Sequence, residues 1–481
     1  MTPTTMTSQE KRAGNETFLE ELTTILGPEA VLTDSHDLAA FEKGWRYGEG
    51  RALAAVRPST PEQVALVLAA CDAHGIRVQP IGANTGLVGA SNPDATGDML
   101  VLSLERLRKT LQIDATDRTV LVDGGVLLSE LNAALAEHGL WLPIDLGADP
   151  QVGGMVATNT GGTRLVRYGD VRRHLLGLEV ALSNGRVQSD LRRLRKNNTG
   201  LDWKQLFVGT SGTFGIVTRA VFSVEPLPRQ TTAALAAVDT GEGVLALLGA
   251  LERTTGNMLS AYEVLSHEAL EVTLRHGANV RPPFAETPRY TVLIELSSTL
   301  ESKSLDLSEI LQNALEACME SDAGADLLDV VVGRDEDFWS IRHQVSESLR
   351  HEGRVLALDL AVPRSQLAHF TDTVREELTR SHPFVRMCDF GHWGDGGTHL
   401  NLVWSPEDSP EDPNALRQAL QTRIYDLCVR DFGGSYSAEH GVGPHNQDHY
   451  ERFTPRGVRD LAGVLKQHLD PERRLGTVRL D

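Results

Sequence analysis

The sequence predicts an α+β protein built from two unlike parts, and three observations carry that prediction. A strand–helix–strand step over 52–81 feeds directly into a glycine-rich loop at 82–89. Two further glycine-dense stretches follow, at 153–162 and 209–215. Past Pro226 and Pro228, long amphipathic helices alternate with strands, which predicts a sheet with helices on one face.

The elements follow in order. Residues 18–26 set apolar side chains at 18, 19, 22, 25 and 26, a helical stripe that ends at Gly27-Pro28. Residues 52–57 read as a short strand. Thr60, Pro61 and Gln63 supply an N-cap, a proline suited to the first helical turn and a capping-box glutamine, so a helix runs to His74 and stops at Gly75. Strand 76–81 then enters the first glycine loop. Strands are expected over 99–103 and 119–122, a helix over 127–138 closed by Gly139, and a strand over 175–182 before the Asn184-Gly185 turn. After strand 215–224 the two prolines mark a boundary. Beyond it, helices are expected over 243–253, 305–319, 364–379 and 413–431, and strands over 289–296, 328–333, 355–362 and 398–404. A last helix covers 454–469, and no fixed-period repeat is visible.

Composition removes several function classes. The chain of 481 residues has room for two or three domains, and its net charge of −20, from 46 basic and 66 acidic side chains, argues against nucleic acid as a partner. An anionic substrate would need a locally positive pocket. No apolar run approaches the roughly 18–20 residues that span a bilayer, so no transmembrane segment is expected. Residues 1–15 are polar and Thr-rich, with no apolar signal core, and encode neither export nor mitochondrial import. Cys71, Cys318, Cys388 and Cys428 lie far apart with no C-x-x-C pair, which argues against disulfides and a thiolate zinc site. A cytoplasmic location is the expectation.

Glycine permits positive φ and close backbone approach, so a glycine loop can aim several N–H groups into one concavity suited to phosphate oxygens. Any single such loop is equally well a turn; three in one half of the chain point to a bound nucleotide. The chain has no Gly-Lys pair for a Walker loop, and no G-x-G-x-x-G follows a strand.

The stretch FGHWGDGGTHLNL at 390–402 adds a second chemistry. A hairpin turning at Asp395-Gly396 would set His392 directly opposite His399, with Cβ atoms roughly 4.5–5.5 Å apart. Asn401 would share that face. The pair is either an ordinary cross-strand contact or two ligands of one divalent metal, and a third ligand decides.

PIGANTGLVG at 80–89, LPIDLG at 142–147, VGGMVATNTGG at 152–162 with RYGDVR at 167–172, RKNNTGLDWKQLFVGTSGTFGIVT at 195–218, the histidine hairpin and YSAEHGVG at 436–443 together resemble the FAD-linked D-2-hydroxyacid dehydrogenases. That family includes D-2-hydroxyglutarate dehydrogenase, D-lactate dehydrogenase and the glycolate oxidase flavin subunit, in the vanillyl-alcohol-oxidase-like flavoprotein fold. The resemblance implies an N-terminal helical segment at 1–49 and an FAD-binding domain of two subdomains, of the vanillyl-alcohol-oxidase/PCMH type, at 50–226. It further implies an α+β substrate or cap domain at 227–435, and a C-terminal helical segment at 436–481 that returns to the flavin.

By the same resemblance, Pro80, Gly82, Asn84, Thr85, Gly86 and Leu87 run along the FAD pyrophosphate. Pro143, Asp145, Gly153, Gly154, Thr158, Asn159, Gly161, Gly162 and Asp170 line the flavin and ribose, and Ile216 and Val217 the adenine side. Residues 79–91 hold neither His nor Cys, which implies non-covalent FAD. Glu439 becomes the third ligand beside His392 and His399, for zinc first and manganese second. His440 becomes the general base, in place of a plain surface imidazole. Arg342 becomes the partner of the substrate carboxylate, with Ser346 and Asn401 as polar contacts.

The implied reaction oxidises a D-2-hydroxy acid, D-2-hydroxyglutarate or a related acid, to the 2-oxo acid by hydride transfer to flavin N5. D-Lactate or glycolate dehydrogenase, a metal-free flavin alcohol or sugar oxidase, and an electron-conducting subunit are the alternatives. The chain departs from the family in three places. Ala357 stands where hydroxyglutarate members carry a lysine, Gly397 where asparagine is usual, and His343 where glutamate is common. Losing one charged contact to a buried carboxylate costs about 1.5–3 kcal/mol, which predicts a shift toward a shorter or less polar acid. No iron–sulfur or haem motif is present, so the electrons are expected to leave to an external acceptor: an electron-transfer flavoprotein, a quinone or a cytochrome. Oligomeric state stays open, with a homodimer as one option.

Overall fold

A computed structural model describes residues 8–481 apart from 322–323, 334 and 409–411. Residues 1–7 of the expected N-terminal segment lie outside the described residues. Helix Ser8–Leu26 buries Phe18 and Leu22 in the same core as Val64, Val67 and Leu68 of helix Pro61–His74. That second helix starts as the sequence predicts, with Thr60 Oγ1 accepting the Gln63 N–H at 3.2 Å. Gln63 reaches one residue further back than a capping box requires, and its Oε1 accepts the Ser59 N–H at 2.8 Å. Gly75 ends the helix in the left-handed region at φ 71°.

The helix packs on a four-stranded sheet ordered Val31–Leu32, Ala52–Val56, Met99–Ser103, Arg77–Ile81, whose last three strands are parallel. A five-stranded antiparallel sheet follows, ordered Leu111–Asp114, Thr119–Asp123, Ile216–Ser223, Leu175–Ala181, Val187–Asp190. Between these strands the second glycine stretch, expected as a loop, folds into helix Val152–Thr158 and ends at Asn159 with φ 53°. Packing explains the difference. A Cβ at Gly153 would lie 3.1 Å from the carbonyl oxygens of both Gly124 and Val217, so glycine here lets a helix press onto two strands.

The chain leaves the five-stranded sheet at Ser223, pairs Glu225–Pro226 with Leu140–Trp141, and enters a seven-stranded antiparallel sheet at Gln230. The order there is Leu327–Gly333, Gln230–Val238, Tyr290–Ser298, Leu259–Ser266, Arg386–Gly391, Gly397–Trp404, Arg354–Ala361. The expectation of helices on one face is corrected: they cover both. Helices Gly241–Thr255, Leu307–Met319, Leu367–Ser381 and Pro413–Asp426 share one core, and His267–His276 and Asp335–Glu352 another. Strands Leu259–Ser266 and Tyr290–Ser298 are buried at every residue, which demands a cover on each side. The helix expected over 413–431 gives way to a wider π-type turn at Leu427–Asp431. Among the described residues no helix is long and apolar enough to cross a membrane.

Two buried ionic contacts tie these parts together. Arg164, beside the second glycine stretch, donates from Nε and Nη2 to the two carboxylate oxygens of Glu295 on the seven-stranded sheet, at 3.0 and 2.9 Å, and also pairs with Asp145. Ser260 Oγ and Trp339 Nε1 complete the shell of Glu295. At the other end, helix Arg456–Leu469 buries Lys466, whose ammonium donates to the Thr213 carbonyl at 2.8 Å, Asp470 Oδ2 at 2.6 Å and the Leu475 carbonyl at 3.1 Å. Burial pushes that ammonium's pKa down, and all three of its donors are used. Lys466→Ala would leave the Asp470 carboxylate buried without its cation. It should lower the free energy of unfolding by about 3–5 kcal/mol in a urea titration; a loss below about 1 kcal/mol would show that the ion pair does not hold the tail.

Candidate active site

The three sheets enclose one cavity of about 800 Å³, a size common for cofactor sites. Every cofactor residue expected from the sequence lines it except Pro143, Asn159 and Asp170. Those three stand behind the lining. Pro143 is buried. Asn159 Nδ2 donates to Asp170 Oδ2 at 2.7 Å, and Asp170 Oδ1 accepts the Arg173 N–H at 3.2 Å, capping helix Val171–His174. The side chains of Asn159 and Asp170 shape the end of the glycine stretch.

The cavity wall fits a dinucleotide. A Cβ added at Gly86 or Gly154 would meet nothing within 4 Å and would grow into open space, whereas one at Gly162, with φ 151°, would collide with the Asp145 carbonyl. Asn84, at φ 56°, is pinned by its Nδ2 to the Lys43 carbonyl at 2.8 Å. Gln151 Oε1 is buried on this wall and has no partner among the described residues, an acceptor left for a donor on the ligand.

On the opposite wall stands the histidine hairpin, in a register different from the expected one. His399 lies opposite Phe390, not His392. The two-residue turn at Asp395-Gly396 is replaced by a longer loop in which the His392 carbonyl accepts the N–H groups of Asp395 and Gly397 at 3.1 and 3.0 Å. Gly391, at φ 129°, lets the backbone leave the strand. The imidazoles meet all the same, with Nε2 atoms 3.2 Å apart. Asn401, two residues on, faces the cavity with His399 and donates to the His399 carbonyl at 3.0 Å.

Glu439 and His440 reach this point from the far end of the chain. Asp359, opposite His399 on the neighbouring strand, accepts their backbone N–H groups on one oxygen at 3.0 and 2.8 Å. The same oxygen lies 3.5 Å from His440 Nδ1. Glu439 Oε1 is 3.3 Å from His399 Nε2 and 3.8 Å from both His392 Nε2 and His440 Nε2. Ligands held at about 2.0–2.2 Å in a tetrahedral shell lie roughly 3.3–3.5 Å apart, so His392, His399 and Glu439 match one divalent cation in both donor type and spacing. Asp359, His399, Glu439 and His440 form an overlapping group with ligating atoms within 4.8 Å. Asp359 is already committed to two N–H groups, which favours the first set.

Sequence reasoning missed the residue that organises the cluster. Glu263, on strand Leu259–Ser266, is only 1% exposed and holds His392 Nδ1 on one oxygen and Arg342 Nε on the other, each at 2.6 Å. Burial alone would raise its carboxyl; His392 and Arg342 overcome that and hold it at about 2. Burial likewise pulls His392 down, and the Glu263 carboxylate prevails and raises it well above the usual imidazole value. His399 is pushed down to about 4 by burial, with Glu439 opposing. Burial raises Glu439, and His392, His399 and His440 more than reverse it. Arg342 lies over the Phe390 ring at 4.7 Å, and among the described residues only its Nε is bonded to protein. Ser346 follows one helical turn later and also lines the cavity. The one signal for Glu263 in the sequence is a lone charged residue in a strand of otherwise uncharged side chains.

Comparisons with known proteins place the chain in a family. The FAD binding domain family matches residues 52–190, and the C-terminal domain family of FAD linked oxidases matches 227–478. The mitochondrial D-2-hydroxyglutarate dehydrogenase of Arabidopsis thaliana is 31% identical, covering 93% of this chain and 78% of its own length. That of Bos taurus is 32% identical over 92% of this chain and 80% of its own. The D-2-hydroxyglutarate–pyruvate transhydrogenase of Saccharomyces cerevisiae is 30% identical, with 93% and 90% covered. Among solved structures, p-cresol methylhydroxylase superposes with a TM-score of 0.71 at 17% identity, covering 96% of this chain and 95% of its own, a likeness of fold alone.

The expected cytoplasmic location is corrected, because the dehydrogenase relatives are mitochondrial by name. The four cysteines are free and buried, and such thiols suit any reducing compartment, so cysteine usage could not separate the two. Gly154→Leu, which fills the open side of the glycine wall, should give a folded protein by circular dichroism that purifies without flavin absorbance. Retention of a full complement of flavin would mean that this wall does not touch the cofactor.

Proposed function

Because the chain belongs to the FAD-linked oxidases, with D-2-hydroxyglutarate dehydrogenases among its relatives, and is a flavin-dependent oxidoreductase, we propose that it oxidises a D-2-hydroxy acid to the 2-oxo acid at a metal-assisted site. One observation carries the reading: two imidazole Nε2 atoms and a carboxylate oxygen converge within 3.8 Å on the wall facing the glycine cradle. His392, His399 and Glu439 hold the cation, zinc before manganese. When bound, it polarises the substrate hydroxyl, and the FAD in the glycine cradle supplies the hydride acceptor.

The protein's own groups do the rest. Glu263 accepts a hydrogen bond from the Nδ1–H of His392, which leaves Nε2 directed inward, as a metal-binding histidine requires. His440 removes the hydroxyl proton through Nε2, while Asp359 beside its Nδ1 fixes the ring and steadies the imidazolium. Arg342, steered by Glu263, presents its remaining guanidinium nitrogens to a substrate carboxylate, with Ser346 and Asn401 as hydrogen-bonding neighbours. An external carrier would take up the electrons of the oxidation, and the mitochondrial relatives support a setting in that organelle.

Turnover with an artificial dye acceptor, screened over D- and L-2-hydroxy acids, tests the proposal. Activity should be confined to D-isomers, vanish on chelation and return with zinc or manganese. Full activity after exhaustive chelation, or peroxide formation from a simple alcohol, would favour a metal-free oxidase. His440→Gln should lower kcat about 10²–10⁴-fold with the flavin spectrum intact; near-normal kcat would remove His440 as the base.

A further inference from the structure

Three guanidinium groups line the cavity among the described residues: Arg46, Arg342 and Arg350. Arg342 is fixed by Glu263, and Arg46 lies over the Tyr47 ring at 5.5 Å. Arg350 has no role in the reading so far. It stands on the same helix as Arg342 and Ser346, four residues beyond the serine. At 1.5 Å rise per residue, its Cα is about 6 Å past Ser346 and about 12 Å past Arg342 along the helix axis, on the same face. Its hydrogen-bond partner is Glu347 at 3.2 Å, and the two side chains are 52% and 64% exposed. Exposed pairs of this kind contribute little and exchange readily for a better anion.

Ala357 makes room for such an anion. It lies on strand Arg354–Ala361 opposite Asn401 and lines the cavity. Two residues nearer the start of the strand than Asp359, the wall carries only a methyl group. Among the described residues, no cationic side chain of this strand lines the cavity. A strongly acidic chain holds an anionic substrate only where cations are concentrated, and this row of side chains is such a place.

We propose that Arg350 receives the far carboxylate of a dicarboxylic D-2-hydroxy acid longer than one whose distal end meets Arg342 and Ser346. It is thus a specificity-determining residue that favours extended diacids. The inference rests on the D-2-hydroxy acid reading above. It also reverses the shorter-acid preference suggested by Ala357 alone, because the cation missing from the strand is supplied one turn further out on the helix.

The test compares kcat/KM of the holoenzyme, with a dye acceptor, for D-malate, D-2-hydroxyglutarate and D-2-hydroxyadipate, and for the six-carbon monoacid D-2-hydroxyhexanoate. The wild-type protein should prefer the six-carbon diacid. Arg350→Gln should lower the ratio of kcat/KM for that diacid to that for the monoacid at least tenfold, mainly through KM, and Arg350→Lys should restore some of it. Ala357→Lys should move the optimum to the five-carbon diacid. An unchanged ratio in Arg350→Gln, or a fall seen with Arg46→Gln in its place, overturns the assignment while leaving the oxidation itself standing. If the wild-type protein turns over none of these acids, the reading of the site fails and this inference with it.

Discussion

A buried carboxylate with two hydrogen-bonding partners organises this cluster of side chains. Glu263 sits in the middle of the seven-stranded sheet, where an isolated charge would be strongly disfavoured, and it remains ionised because His392 and Arg342 each donate to one of its oxygens. The arrangement joins two tasks. The residue that holds the His392 imidazole also holds the Arg342 guanidinium, so the two are positioned together. On strand Arg354–Ala361, Asp359 has a similar role, capping the backbone of Glu439 and His440 and bringing a carboxylate to the His440 ring.

Both carboxylates stand on strands of a sheet covered on each face, and the site inherits that rigidity. Its opposite wall belongs to different sheets, and the relative position of the two walls rests on a few polar contacts. The bidentate Arg164–Glu295 pair, with Ser260 and Trp339 completing the acceptor shell, reaches from the second glycine stretch into the seven-stranded sheet. Charge-assisted pairs of this geometry are directional, so they fix orientation as well as distance. The Lys466 contacts secure the third glycine stretch from the tail.

Much of the site is legible in the sequence. The glycine stretches, the paired histidines and the Glu439-His440 step are contiguous, chemically unusual runs, and the structure gathers nearly all of them around one cavity. Three of the expected cofactor residues fall outside it: Asn159 and Asp170 bond to each other, and Pro143 is buried. The hairpin departs from the register that its turn signal predicts. Asp395-Gly396 is a strong turn signal locally, yet Asp395 also accepts the Gly397 N–H through its side chain and the loop closes on the His392 carbonyl. His392 leaves the strand and reaches His399 from the loop.

Local sequence was enough for whatever is encoded over a few residues: the capped start of helix Pro61–His74, its stop at the positive-φ Gly75, and the residue types gathered in the glycine stretches and the histidine hairpin. Folding of the whole chain settled what depends on segments that meet only through strand pairing. Glu263 and His392 are 129 residues apart along the chain, and Asp359 and Glu439 are 80 apart. Which carboxylate faces which imidazole follows from the order of strands in a sheet, and that order is set by the burial of both its faces, a property of the whole assembly that no local stretch contains.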